Sequence, residues 1–441
     1  MSPDLTDAGP AVGVPGPRPC GCPEGERAGL TRRHLFSLAG AAGLITATTL
    51  SDARVAFAAG AAGTAATGAA GDVLVVISLR GGFDGLSGVV PVGDPAYAAA
   101  RPTIALPAAS LHKVDSMFGL APGLSALYPL WDAGKVAAVH AVGQEAPTRS
   151  HFEAMAELER AAPGSSLRSG WIDRSVGMLA VTGAFSAAQV GNPTLPASLY
   201  GEHDKFALQS LDQVKVAVDE NLVSVSAWKK SIGALHRGAA PEVTRPTAAA
   251  IDAVGKIKNL PKSADARGAG YPDGGLGAAL HDVARLVKAD LGLRFATVDQ
   301  GNYDMHENLG GPTGGWMFNQ LTELSGAMAA FAKELGKDLD RVTVVTISEF
   351  GRRVEQNGSG GLDHGHGNVV LVMGGGVKGG KVYGRWPGLA APNLDDGDLA
   401  GTTDYRNVMA EILTKRCGIG SVATVFPGLK PAPLGLVTAR A

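Results

Sequence analysis

"DVLVVISLRGGFDG", Asp72–Gly85, decides the reading of the fold. Val73–Leu79 is an apolar run rich in β-branched residues. A strand with one wet face alternates apolar and polar side chains. A run of this kind reads instead as a parallel strand buried on both faces. The glycines behind it permit a tight turn, and Asp84 follows at the strand's carboxyl end.

The pattern recurs in "KVAAVHAVG" (Lys135–Gly143), "RFATVD" (Arg294–Asp299), "RVTVVTISEFG" (Arg341–Gly351) and "NVVLVMGGG" (Asn368–Gly376). Helical stretches such as "HFEAMAELERAA" and "MFNQLTELSGAMAAFAKELG" separate these runs. Alternation of strand and helix predicts an α/β fold, an open, mostly parallel sheet with helices on both faces. The stretch from about 183 to 271 breaks the rhythm with proline-rich punctuation and reads as an inserted cap.

With 441 residues, 45% of them hydrophobic, the chain is able to bury one large core or two modest ones. A formal net charge of −2 leaves no electrostatic footprint for nucleic acid, so none is expected as a partner.

The N-terminal region reads as an address. Arg32 and Arg33 precede a short Ala/Gly-rich apolar stretch, the pattern of a twin-arginine export signal. "AFA" at Ala56–Ala58 offers a small-x-small cleavage site between Ala58 and Ala59. A membrane anchor is the other reading, but the run is short and interrupted by Thr and Gly. The expected organisation is a disordered leader plus signal peptide over 1–58, an Ala/Gly linker over 59–71, and one domain over 72–441. Cleavage removes Cys20 and Cys22 and leaves Cys417 without a disulfide partner. The translocase is then the first partner, no stable membrane span remains, and the destination is extracellular, periplasmic or cell-wall associated.

In open α/β sheets ligands bind beyond the carboxyl ends of the strands, so the residues there are the site candidates. They are Arg80 and Asp84 after the first run, and Ser150 with His151 after the second. Asp299, Asp304 and His306 follow the third, and Glu349 with Arg352 and Arg353 the fourth. Asp363, His364 and His366 lead into the last. Carboxylates and imidazoles suit a divalent metal, so Asp84, Asp304, His306, Glu349, Asp363, His364 and His366 are its expected ligands. Plain roles stay open to several of them. Asp84 suits a turn. Ser150 suits an N-cap, with Glu153 completing a capping box, or a nucleophile activated beside a metal. Glu349 suits an ion pair with Arg352 or Arg353. Arg80, Arg149 and Arg353 are candidates to neutralise an oxyanion.

The stretches "LRGGFDGLSGVVP", "APTRSHFEAM", "VDQGNYDMHEN", "TISEFGRRVEQNGSGGLDHGHGN" and "LVMGGGVKGGKVYGRWP" are similar to the twin-arginine-exported bacterial proteins grouped as domain of unknown function 1501. More distantly, the order of motifs resembles the alkaline phosphatase/sulfatase superfamily. That resemblance implies an alkaline-phosphatase-like sheet, with Asp84 as the first acid and Ser150 at the nucleophile position. It implies Asp304 and His306 as the middle pair, and His364 and His366 as the later histidines. Ser348-Glu349-Phe350-Gly351 stands where the superfamily has Ser-Asp-His-Gly, so one imidazole is missing. The implied function is an exported, metal-dependent hydrolase of phosphate or sulfate esters, using one or two ions of Zn, Mn or Ca. The alternative is an envelope binding protein that keeps the fold without turnover. A redox role ranks last, because no Cys or haem motif is present.

Overall fold

Seven residues of the opening stretch, Val73–Leu79, form a strand buried along its whole length. The computed structural model describes residues 53–56, 72–179, 183, 185–214, 224–235, 251–261 and 263–440. Arg32, Arg33, Ala58 and Ala59, with the leader and the linker, lie outside the described residues. So does part of the expected cap.

The central sheet has ten strands among the described residues. In chain order they are β1 (Ala53–Ala56), β2 (Val73–Leu79), β3 (Val136–Gly143), β4 (Ala187–Val190), β5 (Lys205–Leu208), β6 (Phe295–Gln300), β7 (Val342–Ile347), β8 (Asn368–Gly374), β9 (Val382–Tyr383) and β10 (Thr403–Asp404). Their spatial order is β1-β5-β4-β6-β2-β7-β8-β3-β9, with β10 also on β3. The neighbours from β5 through β7 run parallel. β8 runs against both of its neighbours, and β1 runs against β5 at the edge.

Each face of the sheet is covered, which is why the strands read as unbroken apolar runs. Val73, Val75 and Ile77 pack with helices α3 (Gly275–Lys288) and α4 (Trp316–Leu335). Leu74 and Val76 pack with α1 (His151–Arg160), α2 (Trp171–Gly177) and α5 (Tyr405–Lys415) on the other face. The fold is therefore α/β and mostly parallel, as the apolar runs predict.

The expected cap needs a correction. β4 and β5 both fall inside 183–271, yet they extend the sheet beyond β6. At four residues each they are too short to show a period. No helix among the described residues is long and apolar enough to cross a membrane.

The reversed direction of β8 positions the site. Parallel strands deliver to one edge the residues that follow them. An antiparallel neighbour delivers to the same edge the residues that precede it. The approach to β8, residues 363–367, therefore meets the exits of β2, β6 and β7.

Candidate metal centre

His151, Asp304 and His364 each bring one ligand atom into a group whose members lie within 4.8 Å of one another. His151 is the first residue of α1. Asp304 lies in the loop after β6, and His364 lies before β8. The contacts are close. His364 Nε2 lies 3.0 Å from His151 Nε2 and 3.1 Å from Asp304 Oδ1. His306 Nε2 lies 3.0 Å from both His364 Nε2 and Asp304 Oδ1. His151 Nε2 is 3.4 Å from the same oxygen. Donors held about 2.0–2.1 Å from one ion at tetrahedral angles lie roughly 3.3 Å apart, so the spacing of His151, Asp304 and His364 suits a shared cation, while His306 Nε2 also lies 3.4 Å from Arg352 Nη1.

The other nitrogen of each ring fixes its tautomer. His151 Nδ1 lies 2.8 Å from Glu349 Oε1. His306 Nδ1 lies 2.9 Å from Asp363 Oδ1. His364 Nδ1 lies 2.8 Å from the Arg149 carbonyl oxygen. Each of these partners is an acceptor, so each Nδ1 carries the proton and donates. A neutral imidazole then has only a lone pair left on Nε2. The lone pairs of His151 and His364 converge with a carboxylate oxygen, which is unfavourable without positive charge among them, while that of His306 faces Arg352 Nη1 at 3.4 Å. An imidazole that donates its second N–H to a carboxylate or carbonyl is the usual outer arrangement of a metal-binding histidine.

One positive charge is built in. Arg352 is 1% exposed, and its Nη2 donates to Asp304 Oδ1 at 2.7 Å. The guanidinium is held by the carbonyl oxygens of Gly82, Leu362 and Tyr303. Asp304 titrates well below the ordinary carboxylate range. Burial alone would raise it, but the hydrogen bond and the positive charge of Arg352 outweigh burial. Backbone also reaches the site. The Gly81 N–H donates to Glu349 Oε1 at 2.9 Å. Gly81 has φ +112°, and a Cβ there would lie 2.6 Å from the Asp304 nitrogen, so only glycine fits between the two loops.

Of the residues expected as ligands, Asp304, His306 and His364 come together. Glu349 and Asp363 stand one step back and orient the imidazoles. Asp84 is not among them. Arg101, with no exposed surface, takes both of its oxygens at 2.6 and 2.9 Å. His366 is also elsewhere, with Nε2 3.1 Å from the Gln144 carbonyl oxygen and Nδ1 3.5 Å from Asp395. Ser150 is the N-cap of α1, its hydroxyl accepting from the Glu153 N–H. Arg80 is bound to Asp299 and Glu159. Arg149 pairs with Asp396 and Asp398, and Arg353 reaches the same two residues. His151 joins the candidate group, whereas its neighbour Ser150, the expected site residue, does not. Phe350, which replaces an expected imidazole, lies with ring centroids 4.7 Å from His151 and 4.8 Å from His364.

Comparison with curated proteins finds no match. Among solved structures, the chain is similar to PsFucS1 sulfatase from Pseudoalteromonas sp., at 12% identity and TM-score 0.32, covering 71% of this chain and 64% of the sulfatase. It thus spans less than two thirds of that protein's length. It is also similar to a protein in the alkaline phosphatase superfamily from Vibrio parahaemolyticus (11% identity, TM-score 0.30, 77% and 69% covered). A third is the phosphonate monoester hydrolase of Agrobacterium radiobacter (10% identity, TM-score 0.34, 82% and 78% covered). The family model described as "Protein of unknown function (DUF1501)" matches residues 136–415, so the chain belongs to the DUF1501 family.

Proposed function

We propose that this protein is a metal-dependent hydrolase of phosphate or sulfate esters, exported by the twin-arginine route. The observation that carries the metal centre is the convergence of the Nε2 lone pairs of His151 and His364 with Asp304. Its position at the carboxyl edge of the sheet is where α/β folds bind ligands. The site opens to solvent, since the side chains of Asp304 and His306 are 49% and 44% exposed.

In the proposed reaction, water adds to phosphorus or sulfur, the bond to the alcohol oxygen breaks, and that oxygen takes a proton. A divalent ion, when bound, supplies Lewis acidity and makes water a better nucleophile near neutral pH. The chain's own part is preorganisation. Glu349, Asp363 and the Arg149 carbonyl each lock one imidazole, and Arg352 fixes Asp304 from beneath. Ser150, committed to the cap of α1, is left out of the attack in this reading.

The test is turnover of p-nitrophenyl phosphate, bis(p-nitrophenyl) phosphate and p-nitrophenyl sulfate by metal-loaded protein, with His364→Ala as control. Release of p-nitrophenol that His364→Ala abolishes supports the proposal. A fully loaded protein that turns over none of them ends it. The second reading, a binding protein without turnover, is favoured by one fact: the side chains of Ser150, Arg80 and Arg353 are all tied to partners in the fold. Phosphate or sulfate that binds the loaded protein without hydrolysis supports it. Export rests on Arg32 and Arg33, and a double Lys substitution is expected to keep the protein in the cytoplasm.

A further inference from the structure

We infer that the centre takes one first-row transition ion per chain, of the zinc type, and discriminates against magnesium and calcium. The inference rests on the metal-centre reading and adds the class and number of ions.

The class follows from the donors. The converging atoms are two imidazole nitrogens, of His151 and His364, and one carboxylate oxygen, of Asp304, with the His306 nitrogen beside them and facing Arg352. Magnesium and calcium are hard ions that take oxygen ligands and retain water. Imidazole suits zinc and its neighbours in the series. Two nearby oxygens that might have served a hard ion are engaged. Glu349 Oε1 accepts from both Gly81 N–H and His151 Nδ1. Asp363 Oδ1 accepts from His306 Nδ1 and from the Asn357 amide.

The number follows from what flanks the cluster. A second ion needs its own donors and the absence of fixed positive charge. On one flank lies the Arg352 guanidinium, which shares Asp304 Oδ1 with the three imidazoles. It is buried and held by four backbone carbonyls, so it has nowhere to move. On another flank the Phe350 ring lies against His151 and His364 and offers no ligand atom. Asp84, the acid at the end of β2, is neutralised by the buried Arg101. Asp304 and Asp84 are thus each already paired with a guanidinium.

The experiment is titration of chelator-stripped, full-length protein with ZnCl₂, MnCl₂, MgCl₂ or CaCl₂ by calorimetry, with metal content measured after gel filtration. The expected result is one zinc per chain, bound at least 1000-fold more tightly than magnesium or calcium. His151→Ala and His364→Ala are each expected to lose at least 100-fold in zinc affinity, with circular dichroism unchanged. Two zinc ions per chain, or calcium or magnesium bound as tightly as zinc, overturns this inference and leaves the metal centre standing. Binding of no ion at all overturns both. Zinc affinity that survives in both variants overturns the assigned ligands and, with them, the inference.

Discussion

Glu349 Oε1 faces His151 Nδ1 at 2.8 Å, and the same oxygen accepts the Gly81 N–H at 2.9 Å. A carboxylate that is 3% exposed therefore joins the loop after β2 to the first residue of α1. Its charge holds the His151 proton on Nδ1 and leaves Nε2 free for an ion. Glu349→Gln keeps the shape and removes the charge. We expect it to weaken zinc binding by about 10- to 100-fold, the usual cost of losing an outer partner of a metal-binding histidine. Calorimetric titration reads the change, and an unaltered affinity refutes the orienting role.

Gly81 tests the same junction from the backbone. A Cβ placed there meets the Asp304 nitrogen at 2.6 Å, at a φ of +112°. Gly81→Ala is expected to displace Asp304 and to cost about 1–3 kcal/mol of stability from backbone strain. Zinc affinity falls with it. A variant as stable as the parent, with zinc affinity intact, contradicts the close approach of the two loops.

The Asp84–Arg101 pair makes the opposite prediction. Both partners are buried, so removing one charge strands the other. Asp84→Asn is expected to lose about 3–5 kcal/mol of unfolding free energy in urea. The zinc content of the protein that remains folded stays the same. Loss of zinc at undiminished stability would place Asp84 in the centre after all.

His140 sets a pH dependence away from the site. Its ring is buried between Phe118 and Trp386. Nε2 lies 3.0 Å from the Val89 carbonyl oxygen, and Nδ1 accepts the Ala141 N–H. Only a neutral ring satisfies both, and burial pushes its pKa down to about 4. Between pH 6.5 and 4 the unfolded chain therefore binds the extra proton. Stability falls as the pH drops through this window and levels off below it, by about 3 kcal/mol in all. His140→Gln, which titrates nowhere in the window, is expected to flatten that part of the curve in urea unfolding between pH 4 and 7.

The fold was legible because its central strands are apolar on both faces, a pattern that survives without any partner in view. β4 and β5 were not legible, because four-residue strands such as "AAQV" carry no period. Asp304, His306 and His364 were readable from their place at strand ends. His151 was hidden by its neighbour, since Ser150 and Glu153 form a capping signal that draws attention from the first helical residue. That place, the first turn after a strand exit, was the available clue. Asp84 looked the same as a ligand because a carboxylate at a strand end does not announce what it faces. Its partner Arg101 sits in "AAARPT", outside any motif. Glu349 and Asp363 were placed in the right region but one step too close, since orienting and ligating carboxylates share one sequence pattern.

The reversed strand β8 bears on the order of assembly. Antiparallel neighbours need no crossover helix, so β7 and β8 are joined directly by residues 348–367. That connection carries Glu349, Phe350, Arg352, Asp363 and His364, so much of the centre belongs to one local loop with a low closure cost. His151 must come from 213 positions away from His364 and Asp304 from 60. Local contacts form faster than distant ones. In a refolding chain the β7–β8 hairpin is then the early event, and the docking of α1 and of the Asp304 loop the late one. With the centre taking zinc as inferred above, its capture followed in time is expected to report that last step.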